Sequence, residues 1–209
     1  MPQPSYAWLG ATAYTAAGVG QLSTQEPVIM TMAPLGARAY LSLKLTRFLR
    51  ISLGGSFHHG RVSYLNSDIQ YTGAYNAYGG SLGLTLALGS LLMQFRADAL
   101  VNGSLSSKSE IQTEVNGVIY RHSTLVKYSS SVGGFARFGL IMENDDKQIL
   151  NFMIMKVGLI FDLAVLPIDK ETTNIATNQI GSGAAGEWVQ SVNYNFTYGA
   201  VGLLIGLEF

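Results

Sequence analysis

Cysteine is missing from this chain, which excludes a disulfide framework and thiolate metal sites. Charge is scarce. Asp, Glu, Lys and Arg together make up 12% of residues, against about 25% in typical soluble domains. The 13 basic side chains balance the 13 acidic ones, so no global electrostatic case exists for binding nucleic acid. Proline is limited to five residues, placed near an end or between apolar segments. Also missing is a clean apolar run of the ~20 residues that a spanning helix needs. The first residues, MPQPSYAW, hold no basic n-region and no apolar h-region, so the sequence reads as a mature form whose signal peptide is absent from this chain.

What is present is glycine, at 24 residues, with 11 Tyr and 9 Phe, and a persistent alternation of period two. The longest apolar stretch, Ile149 to Leu166, contains Lys156 and Asp162. On a helix these two would stand about 120° apart. On a strand they share one face, and Val157, Leu159, Phe161, Leu163 and Val165 take the other. The strand separates polar from apolar cleanly. The same test passes along the chain. Leu41, Leu43 and Leu45 oppose Arg38 and Lys44; Ile51, Leu53 and Phe57 oppose Arg50, Ser56 and His58. Leu82, Leu84, Leu86 and Leu88 oppose Gly79, Ser81, Gly83 and Thr85. Met93, Phe95 and Val101 oppose Arg96 and Asp98, and Val126, Val132, Phe138 and Leu140 oppose Lys127 and Arg137. A weaker alternation covers residues 6–16. In the last segment Tyr194, Phe196 and Tyr198 share one parity, while Val201, Leu203, Ile205, Leu207 and Phe209 carry the other. A bulge near Gly199 and Ala200 would reconcile them; otherwise the three aromatics point inward.

The pattern predicts an all-β fold spanning 1–209 as one domain: eight long strands in an antiparallel up-and-down barrel, ten only if two more hide in the polar segments. Segments 18–35, 59–76, 103–123 and 167–187 read as long loops at one end; 46–49, 89–90 and 142–148 read as short turns at the other. Three features turn the apolar face outward, toward lipid. The polar face is mostly Gly, Ser, Ala and Thr, which suit a narrow interior. Every strand charge stands opposite the apolar face, where lipid would make it costly by roughly 2–4 kcal/mol. Long loops alternate with short turns, as expected of a transmembrane barrel with extracellular loops and periplasmic turns.

On these residues the whole chain resembles the small eight-stranded outer-membrane barrels of the OmpA/OmpX type. The resemblance implies a bacterial outer membrane, with outer-membrane lipid and lipopolysaccharide around the barrel. It also implies that Val201, Leu203, Ile205, Leu207 and Phe209 form the signal read by the barrel-insertion machinery. Leu207 departs from that signal, which usually has an aromatic there.

Eight strands enclose an interior just wide enough for side chains. Arg38, Lys44, Arg50, Arg96, Asp98, Lys127, Arg137, Lys156 and Asp162 are expected inside it, with Glu208 as a further acid. The basic excess reads either as a plug of salt bridges or as a hydrated constriction for small anions. A hydrolase acting on lipids would need a nucleophile beside a base. The three histidines are His58, His59 and His122, with Ser56, Ser123, Asp68 and Glu171 as candidate companions. His58 and His122 fall on strands nearly opposite each other, so the histidines are expected at the interface or in loops. No metal or cofactor motif is present. Tyr64, Tyr71, Tyr75, Tyr78, Trp188, Tyr194, Phe196 and Tyr198 are expected at the rim, as an aromatic girdle or a binding surface. The expected role is non-enzymatic, structural or binding, with an envelope protein as partner in a larger assembly; the alternatives are the anion pore and the lipid-modifying hydrolase.

Overall fold

The computed structural model describes residues 7–24, 27–64, 72–115, 118–144, 153–179 and 182–209. Eight strands follow in chain order: β1 Ala7–Leu22, β2 Val28–Lys44, β3 Leu49–Tyr64, β4 Thr72–Leu88, β5 Leu91–Val115, β6 Val118–Asn144, β7 Ile154–Gln179 and β8 Ser182–Glu208. Each pairs antiparallel with its chain neighbour, and β1 pairs with β8, so the sheet closes on itself. Closure leaves the paired region without an open sheet edge. The seam reaches the last residue: the Phe209 amide donates to the Leu9 carbonyl at 2.8 Å, and the Leu9 amide donates back at 3.1 Å.

Alternation places the apolar residues outside. Leu82 is 60% exposed and Leu203 56%, with Leu9, Leu41, Phe95, Val132 and Leu159 also on this surface. A continuous apolar surface of this extent has no place in water. Within the belt the outward positions carry no Asp, Glu, Lys or Arg; on β6 the belt runs from Val132 to Met142. Such a stretch matches the ~9–11 residues with which a tilted strand crosses a bilayer. The chain is a transmembrane β-barrel.

At the end that holds Ala7 and Phe209, which we call the turn end, Gly89 and Ser90 join β4 to β5 in a two-residue hairpin between Leu88 and Leu91. Gly89 has φ of +69°, which such hairpin turns require and glycine adopts without steric cost. Inside, bulky rings need room across the narrow lumen. Gly36 gives it to Tyr14, whose ring occupies the space a Cβ at 36 would take.

The opposite, hairpin end differs from the expectation. The length predicted as loop is built largely as strand. β1 to β4 have 16 or 17 residues, whereas β5 to β8 have 25 to 27. Serine and threonine runs with both faces wet give little apolar signal, yet main-chain pairing carries them on. The β7–β8 ladder continues to Gln179 opposite Ser182, while β1 leaves β8 at Leu22 opposite Phe196. The second half of the barrel therefore projects as a sheet beyond the first.

Parity also switches in mid-strand. On β5 the inward positions are even from Leu92 to Leu100, then odd from Gly103. Asn102 makes the change, at φ +52°, a left-handed conformation in which Asn is enriched. It sits at the register shift opposite Asn76 and Tyr78. On β6, Ser131 and Val132 both face out, and on β7 Asp169 and Lys170 do the same. Three adjacent strands thus reverse their faces together.

Candidate functional site: the barrel interior

The inward positions nearest the turn end build an ionic layer. Arg50 donates from Nη1 and Nη2 to the two Glu143 oxygens, at 2.8 and 3.1 Å. Lys156 Nζ donates to Glu208 Oε2 at 2.6 Å, and Arg50 Nη1 approaches the same oxygen at 3.5 Å. Higher up, Arg137 holds Asp162 through two parallel bonds of 2.6 and 2.7 Å. Such paired, charge-assisted contacts are the strongest kind. Arg96 grips Asp98, with Nε to Oδ1 at 2.7 Å and Nη2 on Oδ2. Among the described residues Arg38 meets no carboxylate; it donates to Ser81 Oγ at 2.6 Å and Ser52 Oγ at 3.0 Å. Two rings cover the guanidinium planes: Tyr14 lies 3.8 Å from Arg137 Cζ, and Tyr40 4.5 Å from Arg38 Cζ. Leu92, Ile141, Ile160 and Leu204 fill the remaining gaps.

These contacts place most of the predicted interior charges together: Arg38, Arg50, Arg96, Asp98, Arg137, Lys156 and Asp162 all line the lumen. Lys44 keeps the inward parity at the end of β2 and is half-exposed. Lys127 is a correction: it lies on the exposed outer surface, because the β6 face reversal at Ser131 and Val132 turns it out. Glu143 was missed in a segment read as a turn, although the alternation through Arg137, Gly139 and Ile141 continues to it. With Glu143 and Glu208 inside and Lys127 outside, the basic excess shrinks.

His58 is not an interface or loop residue. It is fully buried. Tyr14 Oη stands 2.7 Å from its Nδ1, and Asp98 Oδ2 stands 3.0 Å from its Nε2. The Nε2–H tautomer satisfies both, with Tyr14 donating and Asp98 accepting. Ser56 Oγ donates to the same Asp98 oxygen at 2.6 Å. Ser, His and Asp are therefore in contact, but in the wrong order for nucleophilic catalysis. A base must take the serine proton through a free nitrogen while the acid holds the other one. Here the serine hydroxyl and Nε2–H both address one carboxylate. His59 faces out, 2.7 Å from Asn76 Oδ1, and His122 lies on the projecting part of β6 beside Tyr120. Among the described residues, no group of three or more His, Asp or Glu is arranged to hold a metal.

Toward the hairpin end the interior becomes apolar. Leu22, Met30, Val62, Leu100, Leu105, Leu166 and Ile168 pack with Tyr75, Phe196 and Tyr198, all buried. The last three were expected at the rim. Phe196 and Tyr198 point inward because β8 pairs with β7 without a register shift from Tyr194 to Glu208, and Tyr75 because β4 keeps its odd positions inward. Tyr75 packs on Phe196 with ring centres 5.8 Å apart, and on Tyr198 at 5.5 Å. Tyr194 is half-buried against Tyr128 above them. Tyr78 is exposed at the edge of the apolar belt, and Trp188 is 58% exposed on the projecting sheet. The Tyr64 side chain and Tyr71 lie outside the described residues, as does Asp68. Val201, Leu203, Ile205, Leu207 and Phe209 form one outward row on β8.

No protein-family model and no curated protein matches this chain. Among solved structures it is similar to the outer membrane protease OmpT from Escherichia coli, at 6% identity and TM-score 0.49, covering 97% of this chain and 96% of that one. It is also similar to Acinetobacter baumannii CarO, at 12% identity and TM-score 0.37, with 90% and 95% covered. A third is Ail, the attachment invasion locus protein of Yersinia pestis, at 10% identity and TM-score 0.37, with 96% and 98% covered. At these values the likenesses carry no functional argument, and the reading rests on the barrel itself.

Proposed function

We propose that this chain is a non-enzymatic integral barrel of a bacterial outer membrane, sealed through its lumen and built to present the projecting β5–β8 sheet for binding. The single observation behind this reading is the filling of the interior. Asp162 in the ionic layer and Leu166 and Phe196 in the apolar layer are all fully buried. A conducting pore leaves its lining wet. Against that, the projecting sheet exposes Leu125, Trp188 and Val189, and recognition concentrates on such outlying surface. In this orientation the turn end is periplasmic, the hairpin end extracellular, and the Val201–Phe209 row is what the insertion machinery reads.

The buried Ser56–His58–Asp98 contact gives a substrate no path to it, which disfavours the hydrolase. Ion pairs engage Arg50, Arg96, Arg137 and Lys156, and serines engage Arg38, where an anion pore would leave its cations available. Purified barrel in planar bilayers is expected to show no single-channel conductance at 1 M KCl. Stepwise, anion-selective currents would sink the sealed-barrel reading.

A further inference from the structure

Above the apolar layer the lumen-side face continues upward as one face of the projecting sheet. Tyr128 on β6 and Tyr194 on β8 pack on that layer and mark the face. Strand pairing extends it. Tyr128 stands opposite Glu171, and Glu171 opposite Gln190. The next row toward the hairpin end is Val126, Thr173, Trp188, and the one beyond it Thr124, Ile175, Gly186. Strands lie ~4.8 Å apart and same-face neighbours along a strand ~7 Å apart, so three strands and three rows make a panel about 10 Å wide and 14 Å tall. The Tyr128–Tyr194 pair, with ring centres 6.4 Å apart, floors it.

On this panel the Trp188 indole lies back along its own strand, over Gly186. A Cβ at 186 would stand 2.7 Å from ring carbon Cη2 and 3.0 Å from Cζ3, so glycine is what lets the ring lie close to the sheet. The ring is seated on one side, yet Trp188 is 58% exposed. Between it and the floor stand Thr173, Gln190 and Glu171. The Thr173 hydroxyl donates to Glu171 Oε1 at 3.3 Å, and a carboxylate with about four lone-pair sites can accept further donors.

Charge divides the two faces of the sheet. Lys108, Lys127 and Lys170 are exposed on the outer face, whereas the panel carries Glu171 and no Lys or Arg. An acid without a cation is the wrong complement for phosphate, sulfate or a polyanion. A neutral sugar is the right one. Its C–H face stacks on an indole, which offers large rigid contact area. Its hydroxyls donate to the carboxylate and accept from the amide and the threonine.

We infer that this panel is a binding site for a neutral oligosaccharide, one sugar stacked on Trp188 and the next held by Thr173, Gln190 and Glu171. The inference rests on the binding role proposed above for the projecting sheet and names its ligand class.

The chain has two tryptophans, so Trp8→Phe leaves Trp188 as the sole fluorescent reporter. The full chain with this change, in phosphatidylcholine nanodiscs, is titrated with maltotetraose, cellotetraose and chitotetraose, and with a heparin tetrasaccharide as the anionic control. At least one neutral tetrasaccharide is expected to shift Trp188 emission to the blue and saturate, with the heparin fragment binding at least about tenfold more weakly. By calorimetry, Trp188→Ala is expected to weaken the neutral sugar about tenfold, and Glu171→Gln about fivefold. Gly186→Ala keeps every contacting group but lifts the ring, and is expected to cost about fivefold; it decides if Trp188→Ala does not fold. No saturable shift with any neutral sugar, tighter binding of the heparin fragment, or native affinity in the ring variants overturns the site. Saturation by an oligolysine peptide and by none of the sugars overturns it in favour of a protein partner. Conductance reads the sealed lumen separately, so either idea can fail without the other.

Discussion

From the turn end to mid-barrel the inward side chains are Arg50, Glu143, Lys156, Glu208, Arg137, Asp162, Arg96 and Asp98. From Phe135 toward the hairpin end they are Leu100, Leu105, Leu166, Ile168, Tyr75 and Phe196. Both sets fill the same narrow tube, and they fill it by different physics. In the ionic storey each group needs its partner, since an unpaired buried charge costs several kcal/mol. In the apolar storey contacts are interchangeable and cost follows volume. The order matters too. The apolar storey lies at the end from which β5 to β8 project, where water would otherwise enter. By excluding it, the hydrocarbon keeps the ion pairs dry, and dry ion pairs are stronger. The difference teaches that sealing and rigidity are divided between the two storeys.

The largest effect is expected where pairing is obligatory. Asp162→Ala leaves Arg137 without its carboxylate deep in the lumen, at a cost of about 3–5 kcal/mol. Urea unfolding of the barrel refolded into phospholipid vesicles reads this as a lowered midpoint. The double variant Arg137→Met, Asp162→Leu is expected to recover most of the loss, because no charge is then stranded. If the double variant is as unstable as the single, the storey is held by packing and the division fails.

Next comes the apolar storey. Phe196→Ala removes the ring beside Tyr75 and Tyr198 and is expected to cost about 3 kcal/mol. The sharper readout is conductance: water entering the vacated space would wet the lumen from above, so brief openings are expected in planar bilayers. Closed recordings from a folded Phe196→Ala barrel would mean that the ionic storey seals by itself.

The belt was legible in the sequence because lipid imposes one rule on every outward position, and alternation records it directly. The eight strands and most lumen charges followed from that parity. The second storey did not, because the rule gives no information once both faces of a strand are polar or both are apolar. Tyr75, Phe196 and Tyr198 are aromatic enough for a rim and apolar enough for a core; only the parity that β4 and β8 keep in the closed sheet decides. Lys127 was misplaced because alternation assumes a fixed face, and the reversal at Ser131 and Val132 breaks it. The Asn102–Gly103 pair was the one local signal, since Asn-Gly marks sites where a strand interrupts its regular geometry. Ser56 and His58 were weighed as catalytic companions, but sequence spacing says nothing about Tyr14 or the shared Asp98 oxygen, which fix their actual role.

The smallest effect tests the boundary between the storeys, where His58 touches both. Its ring packs on Phe135 at 4.4 Å between centres on the apolar side, while Nε2 meets Asp98 on the ionic side. His58→Leu keeps the packing and removes the hydrogen bonds to Tyr14 and Asp98 together with the 3.2 Å contact of Nε2 with Ser56 Oγ. Asp98 retains Arg96 and Ser56, so its charge stays paired, and Tyr14 loses its hydrogen-bond partner at Nδ1. Net losses of this kind run to about 1–2 kcal/mol, well below that of Asp162→Ala, and the vesicle urea midpoint should fall by a correspondingly small step. A loss as large as that of Asp162→Ala would make His58 an obligatory member of the ionic storey. No loss at all would place it with the hydrocarbon, its polar contacts incidental to the fold.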